Sequence, residues 1–379
     1  VNSGQKQAKN NFEQLIPSVC LQDSSSNDFF ASVSHDQCFA QDRLPGACGL
    51  LLNERKKIAL QKIILQAAES RLLLKATNFQ ITNGMGLGER SEDILFQSLF
   101  RSLGYGNHVE SFVSLASRFP YSKIKVFFRS LARQSRLEIL SRWLGYLNYF
   151  ENVDLEQIHP ELRREWIAFS ENWSSFQQEG INNPSKPKTP SRPLNSPVRR
   201  LFGFYYHLEY VAFEGLIRSW LKFLRSCDEL MVLEKPRKHI LKELDSMFPQ
   251  PDWEILSHSI SNLKDSKRTT RTRLVGKQRQ LIILVNSIIP FFLCWARLNQ
   301  NKKLERTLFS LILVLPEEGK NHKTRFMENR FKIDPNDSIL KRNLAYHQGL
   351  VQLHDDYCTS FYEGCSQCTL LEMLNSLTQ

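Results

Sequence analysis

The chain has 379 residues, 41% of them hydrophobic and 23% charged, which describes an ordinary soluble globular protein with room for two or three domains. Its eight cysteines are spread over this length, which excludes the disulfide framework of a small secreted fold. A net charge of +11 and an isoelectric point near 9.2 favour anionic partners, such as nucleic acid or an anionic membrane surface.

The beginning of the chain shows no secretion signal. Residues 1–11 are polar and no apolar segment follows them, so we expect a cytoplasmic protein with reduced thiols. The chain does not begin with Met, which is consistent with a fragment or a processed product. Residues 1–50 are rich in Ser, Asn, Asp and Gln and are expected to be loosely ordered. Their cysteines, Cys20, Cys38 and Cys48, match no metal-binding spacing and are expected to be free thiols.

The rest of the chain is predicted to form two helical halves, residues 51–179 and 198–379, joined by a linker at 180–197. The linker holds five prolines and no acidic residue, so it should run extended over the surface. Helical spacing of apolar residues begins at Asn53. Further helices are predicted over residues 92–103, 108–119, 123–132, 136–150, 160–178, 198–208, 210–225, 236–247, 253–263, 303–315 and 338–357. No alternation with the period of a strand lasts for more than a few residues, so the fold class is all-α.

A run of mostly apolar residues, 281–296, is the most hydrophobic part of the chain. It is shorter than the roughly 20 residues that cross a bilayer, and Asn286, Ser287 and Pro290 interrupt it. We therefore expect no membrane span. The run is predicted to be a buried helix, kinked near Pro290, at the centre of a multi-helix globular fold.

The most basic stretch, residues 264–279, directly precedes that run and contains a single acidic residue, Asp265. Lys and Arg side chains neutralise phosphates and release counterions, so the basic residues of this stretch are candidate ligands for DNA or RNA. These are Lys264, Lys267, Arg268, Arg271, Arg273, Lys277 and Arg279. Arg192, Arg199 and Arg200, beside the linker, are expected to extend the same surface. The alternative is a solvated basic loop next to a buried helix.

Three cysteines near the end of the chain, Cys358, Cys365 and Cys368, have the spacing C-x6-C-x2-C. A C-x2-C turn points two thiolates at one ion, and Gly364 just before it suits a tight backbone. His354, one helical turn before Cys358, is the candidate fourth ligand of a zinc ion in a short C-terminal Cys-rich knot. An iron–sulfur cluster is disfavoured, because endonuclease III-like glycosylases, which share this spacing, have a fourth cysteine where this chain has Leu374. Reduced thiols that pack without a metal are the other possibility.

No stretch of the chain spells a catalytic site. The sequence contains no G-x-S-x-G, no H-E-x-x-H and no Walker loop. The glycines of residues 83–88 alternate and follow no strand, so they do not form a dinucleotide-binding loop. Whether the chain is an enzyme is therefore left open by its motifs.

Five segments occur in an order that resembles a known family. They are ERKKIALQKI, SEDILFQSLFRSLGYGNHVESFVSLASRFP, RPLNSPVRRL, LVNSIIPFFLCWA and QGLVQLHDDYC, the last followed by GCSQC. The series resembles the uncharacterised bacterial family catalogued as domain of unknown function twenty-eight fifty-one. The resemblance runs from about Ala47 to Cys368, and it is most specific at residues 192–201 and 348–368.

The resemblance implies a mostly helical architecture and a bacterial origin. Family members begin with a strand-rich region whose acidic and histidine residues resemble a nuclease core, and this chain is expected to lack a counterpart. The family supplies no catalytic residues that can be transferred. The expected function is binding of nucleic acid or an acidic partner through the basic surface. The alternative is a non-catalytic structural or interaction module, the helical half of a larger nuclease-like protein.

Overall fold

A computed structural model describes residues 46–50, 52–79, 88–104, 108–129, 132–151, 155–157, 160–177, 197–249, 273–334, 339–359, 365 and 368–376. The regular structure in these ranges is helical, without a strand, which confirms the all-α prediction. The α-helices are α1 Ala47–Leu50, α2 Glu54–Thr77, α3 Glu89–Leu103, α4 Val109–Arg118, α5 Tyr121–Ile124, α6 Ala132–Tyr146, α7 Pro160–Gln177, α8 Pro197–Val211, α9 Leu216–Leu230, α10 Pro236–Ser246, α11 Lys277–Ile283, α12 Ile289–Leu298, α13 Lys302–Val314, α14 His322–Arg330, α15 Leu344–Leu353 and α16 Thr369–Ser376.

Helices α11 and α12 form one continuous helix, Lys277–Leu298, which we call the central helix. By length and composition it is apolar enough to cross a membrane, but 67% of its most apolar 18-residue window is buried inside the protein. A core helix of a soluble protein has the same composition, and α2, α3 and α13 pack around this one. The structure therefore confirms the prediction of a buried apolar helix at the centre of the fold.

A wider turn, the π-turn Leu284–Ile288, links the two parts of the central helix. Pro290 lacks an N–H group and cannot bond to the carbonyl of the preceding turn. The N–H of Ile289 reaches instead to the oxygen of Leu284, five residues earlier. Near Pro290, where a kink was predicted, the helix contains this π-turn. Within it, Asn286 accepts from Lys75 on α2 and the buried Ser287 donates to the oxygen of Ser98 on α3.

Most buried apolar side chains belong to one cluster that runs from Ala68 to Ala345 and draws on both sides of residues 180–197. A second cluster lies where α1, the first half of α2, α14, α15 and α16 meet. The proposed linker, apart from Pro197 at the start of α8, and the N-terminal segment before Gly46 lie outside the described residues, so the domain division stays a prediction.

Several predicted helices differ in the structure. The helix predicted over 338–357 begins only at Leu344, where the Asn343 side chain accepts the N–H of Tyr346. The helix predicted over 123–132 is replaced by the short helix α5 and a 3-10 turn, Phe127–Arg129. The helix predicted over 210–225 begins only at Leu216, because Gly215 has a φ of +90°, a left-handed conformation that interrupts the helical path. Phe213, which precedes the start of this helix, is fully exposed. The helix predicted over 253–263 lies outside the described residues.

Candidate functional site

A cleft of about 880 Å³ lies where α2, α3, α4 and the central helix meet. Three cationic side chains line it, those of Lys75, Arg101 and Arg279. No Asp or Glu is found among the described residues of its lining. Neutral polar groups and apolar side chains complete the walls, including Asn78, Gln97, Ser98, Asn286, Phe79 and Ile282. The cleft is therefore an electropositive site with hydrogen-bonding groups.

Lys75, near the end of α2, has its ammonium group enclosed by neighbouring helices. Its Nζ donates hydrogen bonds to Asn286 Oδ1 and to Gln348 Oε1, both at 2.6 Å. Burial of the charge, and then repulsion from Arg71 one helical turn away, lower the pKa of Lys75 to about 7, against a smaller opposing effect of Glu318. Near neutral pH this amine can therefore gain or lose its charge when its surroundings change.

The polar network continues inward from Gln348. Its amide nitrogen donates to Glu318 Oε1, and His347 Nδ1 lies 2.9 Å from the same oxygen. Burial raises the pKa of Glu318, but His347, Lys75 and Arg71 together outweigh burial and hold that pKa below its usual value. Glu318 is therefore an ionised carboxylate inside the protein, and it offsets the charge of Lys75.

A second set of charged and polar side chains lies one turn away from Lys75 and Gln348 on α2 and α15. Arg71 Nη1 donates to Gln352 Oε1 at 3.2 Å and to Asp355 Oδ2 at 3.3 Å. Lys323 Nζ donates to Asp355 Oδ1 at 2.5 Å. Asp355 lies in the π-turn His354–Cys358, which extends α15. Polar residues thus join α2, α14 and α15 along one seam.

Gly349 explains how α15 comes close enough to α2 for these contacts. A Cβ atom at this position would lie 2.1 Å from the backbone oxygen of Ile64. Only glycine lets the two backbones approach to this extent. Gln348 can then reach Lys75, and Gln352 can reach Arg71.

Arg279 reaches the cleft while it satisfies the end of helix α3. Its Nη1 donates to the oxygen of Ser102 at 3.2 Å, and Arg200 Nη1 donates to the oxygen of Leu103 at 2.7 Å. The last four carbonyls of a helix have no partner within it, and cations are favourable beside them. Arg101, on the last turn of the same helix, is exposed to solvent at the cleft.

The basic stretch predicted to bind nucleic acid is described only from Arg273 onward. Arg273 forms an ion pair with Asp245, Lys277 is exposed at the start of α11, and Arg279 lines the cleft. The other four predicted ligands, Lys264, Lys267, Arg268 and Arg271, lie outside the described residues. The structure therefore gives a location to one end of the stretch, next to the cleft.

Arg199 and Arg200 do not extend that surface, contrary to the sequence-based expectation, because both are buried. Arg199 Nη2 donates to the oxygen of Arg273 at 3.4 Å, and burial lowers the pKa of its guanidinium group. These two arginines support α3 and the segment that leads into the central helix. Arg192 lies outside the described residues.

The predicted metal ligands lie beyond the C-terminal end of α15. His354 and Cys358 belong to the π-turn that extends this helix, and Cys365 and Cys368 precede α16. Cys358 Sγ is 3.5 Å from Met327 Sδ, and the N–H of Cys368 donates to the oxygen of Cys365 at 3.3 Å. The ring of His354 packs edge-on against Phe326, with centroids 5.2 Å apart. In the parts of the chain described here, no three His, Cys, Asp or Glu side chains are arranged to hold a metal ion. The predicted Cys-rich knot is not confirmed, and zinc or an iron–sulfur cluster stays a prediction.

Sequence reasoning missed Lys75, Arg101, Gln348 and Glu318 as site residues. A signal for one contact was present, since Asn286 is a polar residue inside the most apolar run of the chain. The others are ordinary polar positions on separate helices, and only the packing of α2 against α15 brings Lys75 to Gln348.

Comparison with known proteins gives a family and no further relative. No curated protein and no solved structure matches the chain. Residues 1–322 match the family described as "Protein of unknown function (DUF2851)". The matched region includes Lys75, Arg101 and Arg279 of the cleft, and it ends before Cys358, Cys365 and Cys368. Because the match covers most of the 379 residues, the chain belongs to the DUF2851 family.

Proposed function

We propose that this protein binds single-stranded nucleic acid in the cytoplasm, with phosphates held in the cleft by Lys75, Arg101 and Arg279. One observation carries the proposal: three cations line a single cleft whose described lining contains no carboxylate. A phosphate placed there meets the positive charges of Arg101 and Arg279, while the nearby carboxylate of Glu318 lies behind Gln348 and outside the described lining. The net charge of +11 adds long-range attraction for a polyanion.

The remaining lining suits a nucleotide rather than a bare phosphate. Amide and hydroxyl groups of Asn78, Gln97 and Ser98 can form hydrogen bonds with phosphate and sugar oxygens. The ring of Phe79 is half-buried at the wall, and an aromatic ring beside a basic groove is the usual platform for an unpaired base. A cleft of about 880 Å³ admits one or two unpaired nucleotides, whereas a duplex offers its bases only inside a groove.

The position of Lys75 predicts that binding is coupled to protonation. Its pKa in the free protein is about 7, and a nearby phosphate favours the charged amine. Above pH 7 the protein must therefore take up a proton when it binds. Affinity is expected to decrease from pH 7 to pH 9, and a Lys75→Met variant is expected to lose this dependence.

Fluorescence anisotropy with single-stranded DNA and RNA, measured over a range of salt concentrations, tests the proposal. Arg101→Ser should reduce the slope of log affinity against log salt by about one. The matched control is Lys62→Ser, since Lys62 is an exposed lysine on α2 about 20 Å from Lys75 along the helix axis. The control is expected to bind as the unmodified protein does.

The basic stretch can be tested in the same assay. Changing Lys267, Arg268, Arg271 and Arg273 together to Ser should lower affinity for every sequence and flatten the salt dependence. Among the four single variants, Arg273→Ser should lower the affinity least, because Arg273 already forms an ion pair with Asp245. If neither DNA nor RNA binds the unmodified protein at low salt, the proposal fails, and the chain is better described as a structural or interaction module.

A further inference from the structure

Two cysteines that are distant in sequence lie against the same turn of helix α14. The Cys48 Sγ is 3.9 Å from the backbone oxygen of Arg330, and the Cys358 Sγ is 3.5 Å from Met327 Sδ. Met327 and Arg330 are three residues apart, and therefore lie on one side of the helix. The thiols of Cys48 and Cys358 consequently occupy one region at the end of α14.

The C-x2-C pair belongs to the same region. Cys365 and Cys368 form a turn, in which the N–H of Cys368 donates to the oxygen of Cys365 at 3.3 Å. Helix α16 follows at once and packs against α1, which carries Cys48, and against α2. Cys48, Cys358 and Cys368 all contact the second hydrophobic cluster, the one between α1, α14, α15 and α16. Four cysteines from the two ends of the described chain are therefore neighbours.

This placement also affects the pKa of two of these thiols. Burial first, and then the neighbouring Cys365 and Cys368, raise the pKa of Cys48 to about 11. Burial first, and then Cys48 and the other two cysteines, with Arg330 acting in the opposite direction, raise the pKa of Cys358 to about 12. Several thiolates so close together are unfavourable without a cation, and a bound divalent cation reverses that balance.

We propose that Cys48, Cys358, Cys365 and Cys368 form a four-thiolate site for a divalent metal ion of the zinc type. Four cysteines complete the closed tetrahedral set that structural zinc sites use. Cys48 takes the fourth position, which the sequence alone assigned to His354. The His354 ring packs on Phe326 of α14, and its Nδ1 lies 3.2 Å from Asp355 Oδ1. These two contacts of His354 are therefore with α14 and with its own π-turn.

Closure of the site requires rearrangement of these cysteine side chains. The four thiols are neighbours that do not converge on one point, and a change of one side-chain rotamer moves a sulfur by roughly 3 Å. One metal ion and four thiols give one four-thiolate complex and four released protons, without any electron transfer. The bound ion would connect α1 to the C-terminal helix α16, and so join the two ends of the described chain.

Metal analysis of the purified full chain, with cysteine variants, tests this inference. We expect about one zinc per chain in the unmodified protein, and a loss of most of it in Cys48→Ser. Cys294→Ser is the matched control, since Cys294 is a partly buried cysteine on the central helix that contacts the oxygen of Phe79. His354→Asn should also retain the metal. Circular dichroism of each variant checks that the fold is intact.

A measurement on the unmodified protein makes the test independent of variant folding. After exchange of the metal for cobalt, the intensity of the sulfur-to-cobalt charge-transfer absorption reports the number of thiolate ligands, and four are expected. Absence of zinc, retention of zinc in Cys48→Ser, loss of zinc in His354→Asn, or iron with sulfide in place of zinc would each overturn the proposal.

Discussion

The ammonium group of Lys75 lies 2.6 Å from Gln348 Oε1, so a cation on α2 is held by an amide on α15. The opposite end of the same amide donates to the buried carboxylate of Glu318. Gln348 therefore connects a lysine of lowered pKa with an ionised glutamate, and their charges stabilise each other across it. Removal of either partner leaves a buried polar group without its bond.

Lys75 and Gln348 should be energetically coupled. In urea denaturation, the combined variant Lys75→Met and Gln348→Leu should lose less free energy of unfolding than the two single variants together, by about 1 kcal/mol. The reason is that each single change leaves the other polar group unsatisfied. The cycle of Lys62→Met with Gln348→Leu is the control, and it should be additive within about 0.5 kcal/mol. Additivity in both cycles would contradict the contact.

Gly349→Ala should destabilise the protein by at least about 2 kcal/mol, since the new Cβ meets the backbone oxygen of Ile64 and the two helices must separate. Gly276→Ala is the matched control, because no atom lies within 4 Å of a Cβ built there. Chemical denaturation should place the control within about 0.5 kcal/mol of the unmodified protein. Equal stability of the two variants would show that α15 does not pack this closely on α2.

Stability should decrease between pH 6.5 and pH 4 because of His207. The residue is fully buried, and since a carbonyl only accepts, its Nδ1–H donates to the oxygen of Met247 at 2.6 Å. Burial lowers the pKa of His207 to about 4, although the bond to Met247 opposes the shift. Below pH 6.5 the unfolded chain binds a proton that the folded protein does not, so the free energy of unfolding falls by roughly 3 kcal/mol as pH approaches 4.

The variant His207→Gln tests this pH dependence, since glutamine keeps a hydrogen-bond donor but does not titrate. Its unfolding free energy should vary less between pH 6.5 and 4 than that of the unmodified protein. His322→Gln, at an exposed histidine, should keep the full dependence. An unchanged profile in His207→Gln would assign the acid sensitivity to other groups.

Ile288→Asp should abolish soluble expression. Ile288 is completely buried in the central helix, and a carboxylate there would lack water and a partner. Ile58→Asp is the control, because Ile58 on α2 is 53% exposed. The control should remain soluble. Recovery of the unmodified chain in a carbonate-resistant membrane fraction would instead show that the central helix is a membrane span.

The sequence by itself determined the fold class, the buried central helix and many helix limits. Helical spacing of apolar residues is local information, and capping residues mark local ends. Asn53, for example, accepts the N–H of Lys56 at the start of α2, near the predicted position. The predicted helices fail where a backbone conformation such as that of Gly215 intervenes, since its φ depends on the residues packed around it.

Only the tertiary structure decided which polar residues meet. Lys75 and Gln348 are 273 positions apart, and no periodicity within either helix indicates that they pair. The same holds for Cys48, a free thiol as predicted, which only the packing of α1 against α14 and α16 brings near the C-terminal cysteines. It holds also for Arg199 and Arg200, which resemble surface cations in sequence but are buried. Residue type and spacing specify what a helix can bury, whereas the approach of two backbones, as at Gly349 and Ile64, selects the partners of its polar side chains.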